Sequence, residues 1–309
     1  MNFFNRTIYF AAIATIAFAH NSCNVLDFDE STGYDSAEDV YTTWANVQSS
    51  LTHVYGCLES DFGTINAASR ACATDDAHYV WSTSNVHIFN DTRWSALNTV
   101  DAQWSNYYSA IRDANSFLTN FENASFDRFQ YDDDYTTWLS KSKYWSYEAR
   151  FLRAYFHFEL ARRYGDIPLV AGNIYTVDDV NEVEESSFAD VVAYIVDECD
   201  EAAENLPATY TSVSSAETGR ITAGAAKALK ARALLYAAST TYNPDATEED
   251  WKLAAAAAYE VIELETYALH TSLFPFDDAS SIITSSELIL ERRMGTSITF
   301  ESRNTSVSL

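Results

Sequence analysis

Residues 148–164 constrain the fold more than any other part of this sequence. Placed on a helix, their apolar side chains point in nearly every direction around the axis: Phe151, Leu152, Ala154, Tyr155, Phe156, Phe158, Leu160 and Tyr164. A helix that is apolar all round has to lie between other helices rather than on a surface. We therefore expect this segment at the centre of a helical array.

The same segment carries charges that need partners. Glu159 and Arg163 stand four residues apart in the order that favours an ion pair. Arg150, Arg153 and Arg162 must find carboxylates, carbonyls or solvent. We assign this segment an architectural role and no ligand.

Helix-breaking residues are scarce, since the 309 residues include only 8 glycines and 4 prolines. Many-stranded sandwiches and barrels need turn residues every 8–12 positions, so the sequence predicts an all-α fold. Alanine-rich stretches suggest paired helices of the tetratricopeptide type, although no 34-residue period aligns. A strand-bearing segment is expected over 284–301. Helical spacing predicts helices over 36–60, 91–121, 134–164, 187–206, 222–239 and 248–264.

Several functional classes are excluded by charge and motif. Acidic residues outnumber basic ones by 45 to 19, and the net charge of −26 argues against binding nucleic acid or anionic lipid. HExxH, GxSxG, P-loop and GxGxxG motifs are absent, so we predict no catalytic residue and no cofactor. Residues 132–134 are three aspartates without the spacing of a calcium loop, and we predict no metal site.

The amino terminus resembles an export signal. Residues 1–22 read as a signal peptide with a 12-residue apolar core at 8–19, too short to span a bilayer comfortably. Residues 17–19 (Ala-Phe-Ala) fit an ordinary cleavage site. Alternatively, Ser22 and Cys23 resemble the end of a bacterial lipobox, and we favour lipidation of Cys23.

The mature chain then divides into an acidic tether at 23–35 and a helical domain at 36–309. Three more cysteines, Cys57, Cys72 and Cys199, have a spacing that fits no zinc pattern. In an oxidising compartment Cys57 and Cys72 could form a disulfide; otherwise all three are buried free thiols.

Residues 148–170, EARFLRAYFHFELARRYGDIPLV, resemble the signature segment of the SusD/RagB family, the nutrient-binding outer-membrane lipoproteins of Bacteroidetes. The resemblance covers nearly the whole mature chain. Its further pieces follow in the family's order: WSNYYSAIRDAN at 104–115, SFADVVAYIVDECDEAAENLP at 187–207, TGRITAGAAKALKARALLYAAS at 218–239, AYEVIELETYALHTSLFPF at 258–276 and SSELIL at 285–290.

The resemblance implies a lipid-anchored protein of the cell outer membrane, exposed at the surface. Such a protein captures an oligosaccharide, or alternatively a peptide, and passes it to a TonB-dependent transporter of the SusC type. Two other hypotheses remain open. One is a secreted glycoside hydrolase that uses paired carboxylates, and the other is a helical-repeat adaptor without a small ligand.

Residues 61–90 lose helical spacing, and long ordered loops are usually functional. Within 75–94, aromatic side chains alternate with amides and carboxylates, the mixture that a sugar site needs. In SusD-like proteins a tryptophan and a nearby asparagine of this loop region contribute to sugar binding. The resemblance implies Trp81 with Asn85, and secondarily Trp94. The remaining tryptophans stand at helical spacing and are predicted to be core: Trp44, Trp104, Trp138, Trp145 and Trp251.

SusD-like proteins are considerably longer than this chain, and the resemblance stops in a polar stretch at residues 301–309. We therefore expect a C-terminally truncated domain. In such a domain, helices near Val170 and Leu234 would carry apolar faces without a partner.

We predict that Cys23→Ala releases the protein from the membrane fraction, because Cys23 directly follows the apolar core of the signal peptide. Fractionation of cells expressing the wild type and the variant measures this. A variant that stays membrane-bound, with a wild-type amino terminus mapped to His20, would contradict lipidation.

Overall fold

The computed structural model of the chain describes residues 40–59, 64–65, 68–176, 179, 183–210, 217–269 and 285–292. The predicted signal peptide, the acidic tether and Cys23 lie outside the described residues. Of the segment predicted to contain a strand, residues 285–292 are described, and these residues form none. Within the described ranges, no helix has the length and apolar character needed to cross a membrane.

The fold is all-α, as predicted. The described strands are two antiparallel pairs of two residues each: β1 (Thr64–Ile65) with β2 (Ala68–Ser69), and β3 (Ile167–Pro168) with β4 (Glu185–Ser186). The helices are α1 (Trp44–Gly56), α2 (His87–Asn90), α3 (Trp104–Glu122), α4 (Tyr135–Ser142), α5 (Trp145–Tyr164), α6 (Phe188–Asn205), α7 (Ala223–Ala237) and α8 (Glu248–Glu263).

Local capping explains several helix ends. The Ser187 hydroxyl accepts a hydrogen bond from the backbone N–H of Asp190 (3.1 Å) at the start of α6. Thr247 and Asp250 form a capping box at the start of α8. Gly165 ends α5 with φ +82°, a conformation that glycine adopts without steric cost. These signals lie in the sequence itself, so the predicted bounds of α6, α7 and α8 agree closely with the structure.

Helix α3 begins at Trp104, not near residue 91 as predicted. The Tyr164 hydroxyl accepts hydrogen bonds from the backbone N–H groups of Gln103 (2.9 Å) and Trp104 (3.1 Å) and so caps the helix. Upstream, Leu97 is 100% exposed. The apolar residues that suggested helical spacing there do not face the core.

The helix predicted over 134–164 is two helices, α4 and α5, with a break at residues 143–144. The break lets Trp138 of α4 and Trp145 of α5 meet the same ring, that of Trp44 in α1, at centroid distances of 6.1 and 6.3 Å. Within the described residues, α1 is also shorter than the predicted helix over 36–60.

Helices that follow one another in the chain are neighbours in space. Contacts join α3 to α5, α5 to α6, α6 to α7 and α7 to α8, while α1 packs on both α3 and α5. Small residues line the close contacts of α7 and α8, among them Ala225, Ala226, Ala254 and Ala257. This is the tetratricopeptide-like stacking that the sequence predicts.

Exposed apolar side chains occur on α8 rather than at the two positions where they were expected. Val170 and Leu234, where unpartnered faces were expected, are both partly buried, although the adjacent Leu235 is exposed. Helix α8 exposes a longer apolar row: Trp251, Leu253, Tyr259 and Ile262.

Helix α5 is the centre of the array, as its all-round apolar pattern predicts. Thirteen of its twenty residues are buried. The buried set includes charged and polar side chains as well as apolar ones: Glu148, Arg153, His157 and Glu159. Each of these four groups therefore needs a partner within the protein.

Glu148 is fully buried and is neutralised by groups from two other parts of the chain. The Arg220 guanidinium lies 2.8 Å from its carboxylate, and the hydroxyls of Tyr55 and Tyr210 donate to it at 2.5 and 2.8 Å. Tyr55 belongs to α1, whereas Tyr210 and Arg220 belong to the connection before α7. One carboxylate thus joins α5 to both.

A second charged network joins α5 to α6 and α3. The Glu198 carboxylate of α6 forms ion pairs with Arg150 and Arg153 of α5, each at 2.9 Å. Arg153 also donates to the amide oxygen of buried Asn115 at 2.8 Å. The Asn115 amide in turn donates to the carbonyl of Asn173 at 2.9 Å. The network therefore positions the connection that follows β3.

His157 is buried and neutral. Its Nε2 accepts a hydrogen bond from the backbone N–H of Val170 (3.2 Å), so the ring proton is on Nδ1, which donates to the Arg153 carbonyl at 2.9 Å. Burial lowers the pKa of His157 to about 4.

A third network lies at the carboxyl end of α5. Glu159 pairs with Arg162 at 2.5 Å and with Arg163. Arg163 extends to Asp101 (2.9 Å) and Glu59 (2.6 Å). The predicted Glu159–Arg163 ion pair is confirmed. Of the three partners considered for the other arginines, namely carboxylates, carbonyls and solvent, the structure gives each of Arg150, Arg153 and Arg162 a carboxylate.

Glu148→Ala should lower the free energy of unfolding by about 3–5 kcal/mol, because it removes the closer of the two carboxylates that pair with Arg220 and the acceptor of the Tyr55 and Tyr210 hydroxyls. The matched control is Glu201→Ala, which removes a half-exposed partner of Arg150 (3.5 Å) and should cost at most about 1 kcal/mol. Urea unfolding followed by circular dichroism measures both. Equal costs for the two variants would contradict this role of Glu148.

The buried His157 should make stability depend on pH. Its pKa is lowered to about 4 in the folded protein, against about 6.5 when unfolded, so the unfolded chain binds the extra proton as pH falls through this window. Between pH 7 and 4.5, the wild type should lose about 2–3 kcal/mol more than His157→Gln, which does not titrate.

Urea unfolding at each pH checks this expectation. The control is His78→Gln, which removes an exposed imidazole outside α5 and keeps buried His157, so the loss of stability at low pH should remain. Parallel pH profiles for the wild type and His157→Gln would show that His157 does not contribute.

Candidate functional site

The predicted loop site is built around a small apolar cluster of its own. Ala68, Cys72 and Val86 are buried there, with Tyr79 and Phe89 packed against them. Short elements, β1 with β2, a 3₁₀ helix at Arg70–Ala73 and α2, supply these residues. The cluster holds the loop that carries the three predicted sugar contacts.

Trp81 and Asn85 share one turn in front of α2. The Trp81 carbonyl accepts hydrogen bonds from the backbone N–H of Ser84 (3.0 Å) and from His87 Nε2 (2.9 Å). Its side chain is 52% exposed, and Asn85 is exposed as well. Trp81 is therefore not a core residue, and its contact with sugar stays a prediction.

Trp94 follows α2 in the chain and is also exposed. Its ring is 5.2 Å from that of Phe89. Between them, Thr92 adopts φ +57° and turns the chain after the helix.

A further surface groove, which the sequence did not reveal, runs beside α3. Trp104, Tyr108 and Arg112 recur every four residues and so lie on one face of the helix. The opposite wall comes from the connection after β3, with Asn173 and Tyr175 on it. The cavity has a volume of about 300 Å³.

The aromatic part of the groove is held by specific contacts. The Trp104 and Tyr108 rings lie 4.9 Å apart, and the Trp104 ring meets the edge of Tyr164 at 5.1 Å. The Tyr108 hydroxyl donates to the Pro168 carbonyl at 2.8 Å, which ties α3 to β3. Trp104 keeps 42% of its surface exposed.

Polar groups stand beside these rings. The Asn173 amide donates to the Tyr175 hydroxyl at 3.1 Å, and its carbonyl is held by buried Asn115. Arg112 is exposed on the α3 side. The groove therefore combines flat apolar faces with an amide, a hydroxyl and a guanidinium.

The prediction that five tryptophans are core is only partly right. Trp44 and Trp145 are buried, as predicted, and Trp138 is partly buried. The prediction is wrong for Trp104 and Trp251, since both are more than 40% exposed. Spacing of four residues along α3 could have singled out Trp104, Tyr108 and Arg112. No comparable spacing of aromatic and polar residues in α8 distinguishes Trp251 from a core residue.

The cysteines and the acidic turn behave largely as expected. Cys57, Cys72 and Cys199 are free, so no disulfide joins Cys57 to Cys72. Cys72 and Cys199 are buried, whereas Cys57 is half-buried. The aspartates at 132–134 are exposed, as in a solvated turn. Cys57 lies beside two other possible metal ligands, His53 and Asp113.

The stacked helices define an all-α helical-repeat scaffold with aromatic rings exposed on its surface. Residues 27–235, more than half of the chain, match the SusD-like family that is described as starch-binding and associating with the outer membrane. The chain belongs to this family, which confirms the resemblance drawn from residues 148–170. No curated protein matches the chain.

Solved structures share the fold. A SusD-like carbohydrate-binding protein from Bacteroides fragilis superposes with a TM-score of 0.63 at 24% identity, covering 81% of this chain and 46% of its own. Surface glycan-binding protein A from Bacteroides uniformis gives 0.60 at 19% identity, with 82% and 53% covered. A laminarin-binding SusD-like protein gives 0.56 at 22% identity, with 77% and 50% covered. This chain spans about half the length of these structures.

Proposed function

We propose that this protein binds an oligosaccharide through exposed aromatic rings, and that the groove beside α3 is one of its contact surfaces. The observation that carries the proposal is the pair of exposed Trp104 and half-buried Tyr108, which line a cavity of about 300 Å³ with Arg112, Asn173 and Tyr175 beside them. Family membership supports a carbohydrate as the ligand.

The chemistry of this groove suits a sugar. The C–H faces of a pyranose ring are apolar and stack on aromatic faces, while hydroxyl groups need donors and acceptors at the edge. The Asn173 amide and the Arg112 guanidinium supply such groups. Because the chain carries a net charge of −26, a neutral oligosaccharide is favoured over an anionic one.

The Trp81–Asn85 turn is a second proposed contact surface. Its exposed indole stands next to an exposed amide, the combination that the family resemblance implies for sugar binding. Trp94 is a third exposed ring in the same loop region. A long glycan that meets several shallow aromatic surfaces gains affinity from each of them.

The proposed setting is the outer face of the outer membrane. Cys23 would carry the lipid anchor, and a SusC-type TonB-dependent transporter would receive the captured oligosaccharide. Support comes from the lipobox-like residues at 22–23 and from the family's described association with the outer membrane. In this role the protein needs binding and release but no bond cleavage.

We predict that Trp104→Ala and Trp81→Ala each weaken the binding of neutral glycans by roughly tenfold, since losing a stacking face costs on the order of 1 kcal/mol. Isothermal titration against a panel of neutral polysaccharides, including starch and laminarin, measures the affinity. Trp81→Ala should leave the melting temperature nearly unchanged, because the ring is half exposed.

The matched control is Trp251→Ala. It removes a tryptophan that is 48% exposed on α8, a helix that contacts α7 and supplies no residue to either proposed surface. It should bind like the wild type. Wild-type affinity in both Trp104→Ala and Trp81→Ala, or an equal loss in the control, would contradict these contact surfaces. New reducing ends appearing at a steady rate in the same mixtures would instead favour a hydrolase.

A further inference from the structure

Three side chains with metal-binding chemistry converge where α1 meets α3. His53 lies in the last turn of α1, and Cys57, four residues later, is the C-cap residue with helical backbone angles, so both face the same side of that helix. Asp113 reaches them from α3. The His53 Nε2 and Asp113 Oδ2 atoms are 3.2 Å apart, and all three ligand atoms lie within 4.8 Å of one another.

The backbone around this cluster is held by the core beneath it. Helices α1 and α3 contact each other, and both bury apolar residues in the same core. Next to the cluster, Val54 on α1 and Ala110 and Ala114 on α3 are almost completely buried. The three ligands therefore stand on rigid elements, and binding a metal would need side-chain movement only.

We propose that His53, Cys57 and Asp113 form a Zn²⁺ site that joins α1 to α3, with the fourth coordination position open to water. Zinc accepts imidazole nitrogen, thiolate sulfur and carboxylate oxygen together, whereas calcium and magnesium prefer oxygen alone. The exposed His53 side chain leaves room for the water ligand.

The observed distances are close to those of a tetrahedral site. With zinc–ligand bonds of about 2.0–2.3 Å, neighbouring ligand atoms lie roughly 3.3–3.8 Å apart. The 3.2 Å between His53 and Asp113 is near this range already. Cys57, whose thiol now donates to the His53 carbonyl at 3.6 Å, has to rotate toward the other two ligands.

The surrounding charges act in both directions. The strongly negative chain attracts cations in general. Arg292 brings an opposing positive charge near Cys57, and its guanidinium donates to the Leu58 carbonyl. The site would thus be a surface zinc site that links α1 to α3. It does not depend on the proposed glycan binding.

Titration of the purified protein with Co²⁺ and Zn²⁺ in the presence of a non-thiol reductant tests this site. The wild type should bind one equivalent of Co²⁺ and show a thiolate-to-cobalt charge-transfer band that Zn²⁺ abolishes. Cys57→Ser should lose the band. His53→Gln and Asp113→Asn should each weaken Zn²⁺ binding by at least about tenfold. Loss of a residue that only supports a metal ligand already costs that much, and these two residues are direct ligands.

The matched control is His78→Gln, since His78 is exposed but belongs to the loop cluster beside His87, and it should bind Zn²⁺ like the wild type. In the wild type, Zn²⁺ should also slow alkylation of Cys57 as mapped by mass spectrometry, a readout that needs no variant. Absence of the charge-transfer band in the wild type, its persistence in Cys57→Ser, or unprotected Cys57 would overturn the proposal.

Discussion

Buried charges on α5 hold the helical array together, and the rest of the structure depends on how they are paired. Glu148, Arg153 and Glu159 are buried on this enclosed helix and are out of reach of water. Leaving one such charge without a partner would cost several kcal/mol. Glu148, Arg153 and Glu159 therefore take partners from their surroundings, and most of those partners come from other elements. The pairs made by Glu148 and Arg153 join α5 to α1, to α6 and to the connection before α7.

The buried network positions the walls of the surface groove. Arg153 holds Asn115, and Asn115 holds the carbonyl of Asn173, so a charged group in the core positions one wall of the groove. On the other wall, Tyr164 at the end of α5 caps the start of α3 and meets the Trp104 ring. The signature segment thus supports the groove through its buried charges, and its last residues, Pro168 and Val170, line the groove directly.

Helix positions were predictable wherever the signal is local. Apolar spacing, the capping residues of α6 and α8, and Gly165 after α5 depend on neighbours within a few residues. The start of α3 was not predictable, because its cap is the hydroxyl of Tyr164, some 60 positions away. Trp104 was misassigned for a related reason. Periodicity reports which residues share a helix face, but it does not report what covers that face.

By itself, the sequence determined the fold class, the central place of residues 148–164 and the family, because each follows from composition, spacing or the order of motifs. It also indicated that the loop containing Trp81 and Asn85 faces solvent. Only the tertiary structure decided that Trp104 faces a groove and that Asp113 joins His53 and Cys57. These relations connect residues far apart in the chain, and they exist only after packing of the buried helix has fixed the distances between the elements.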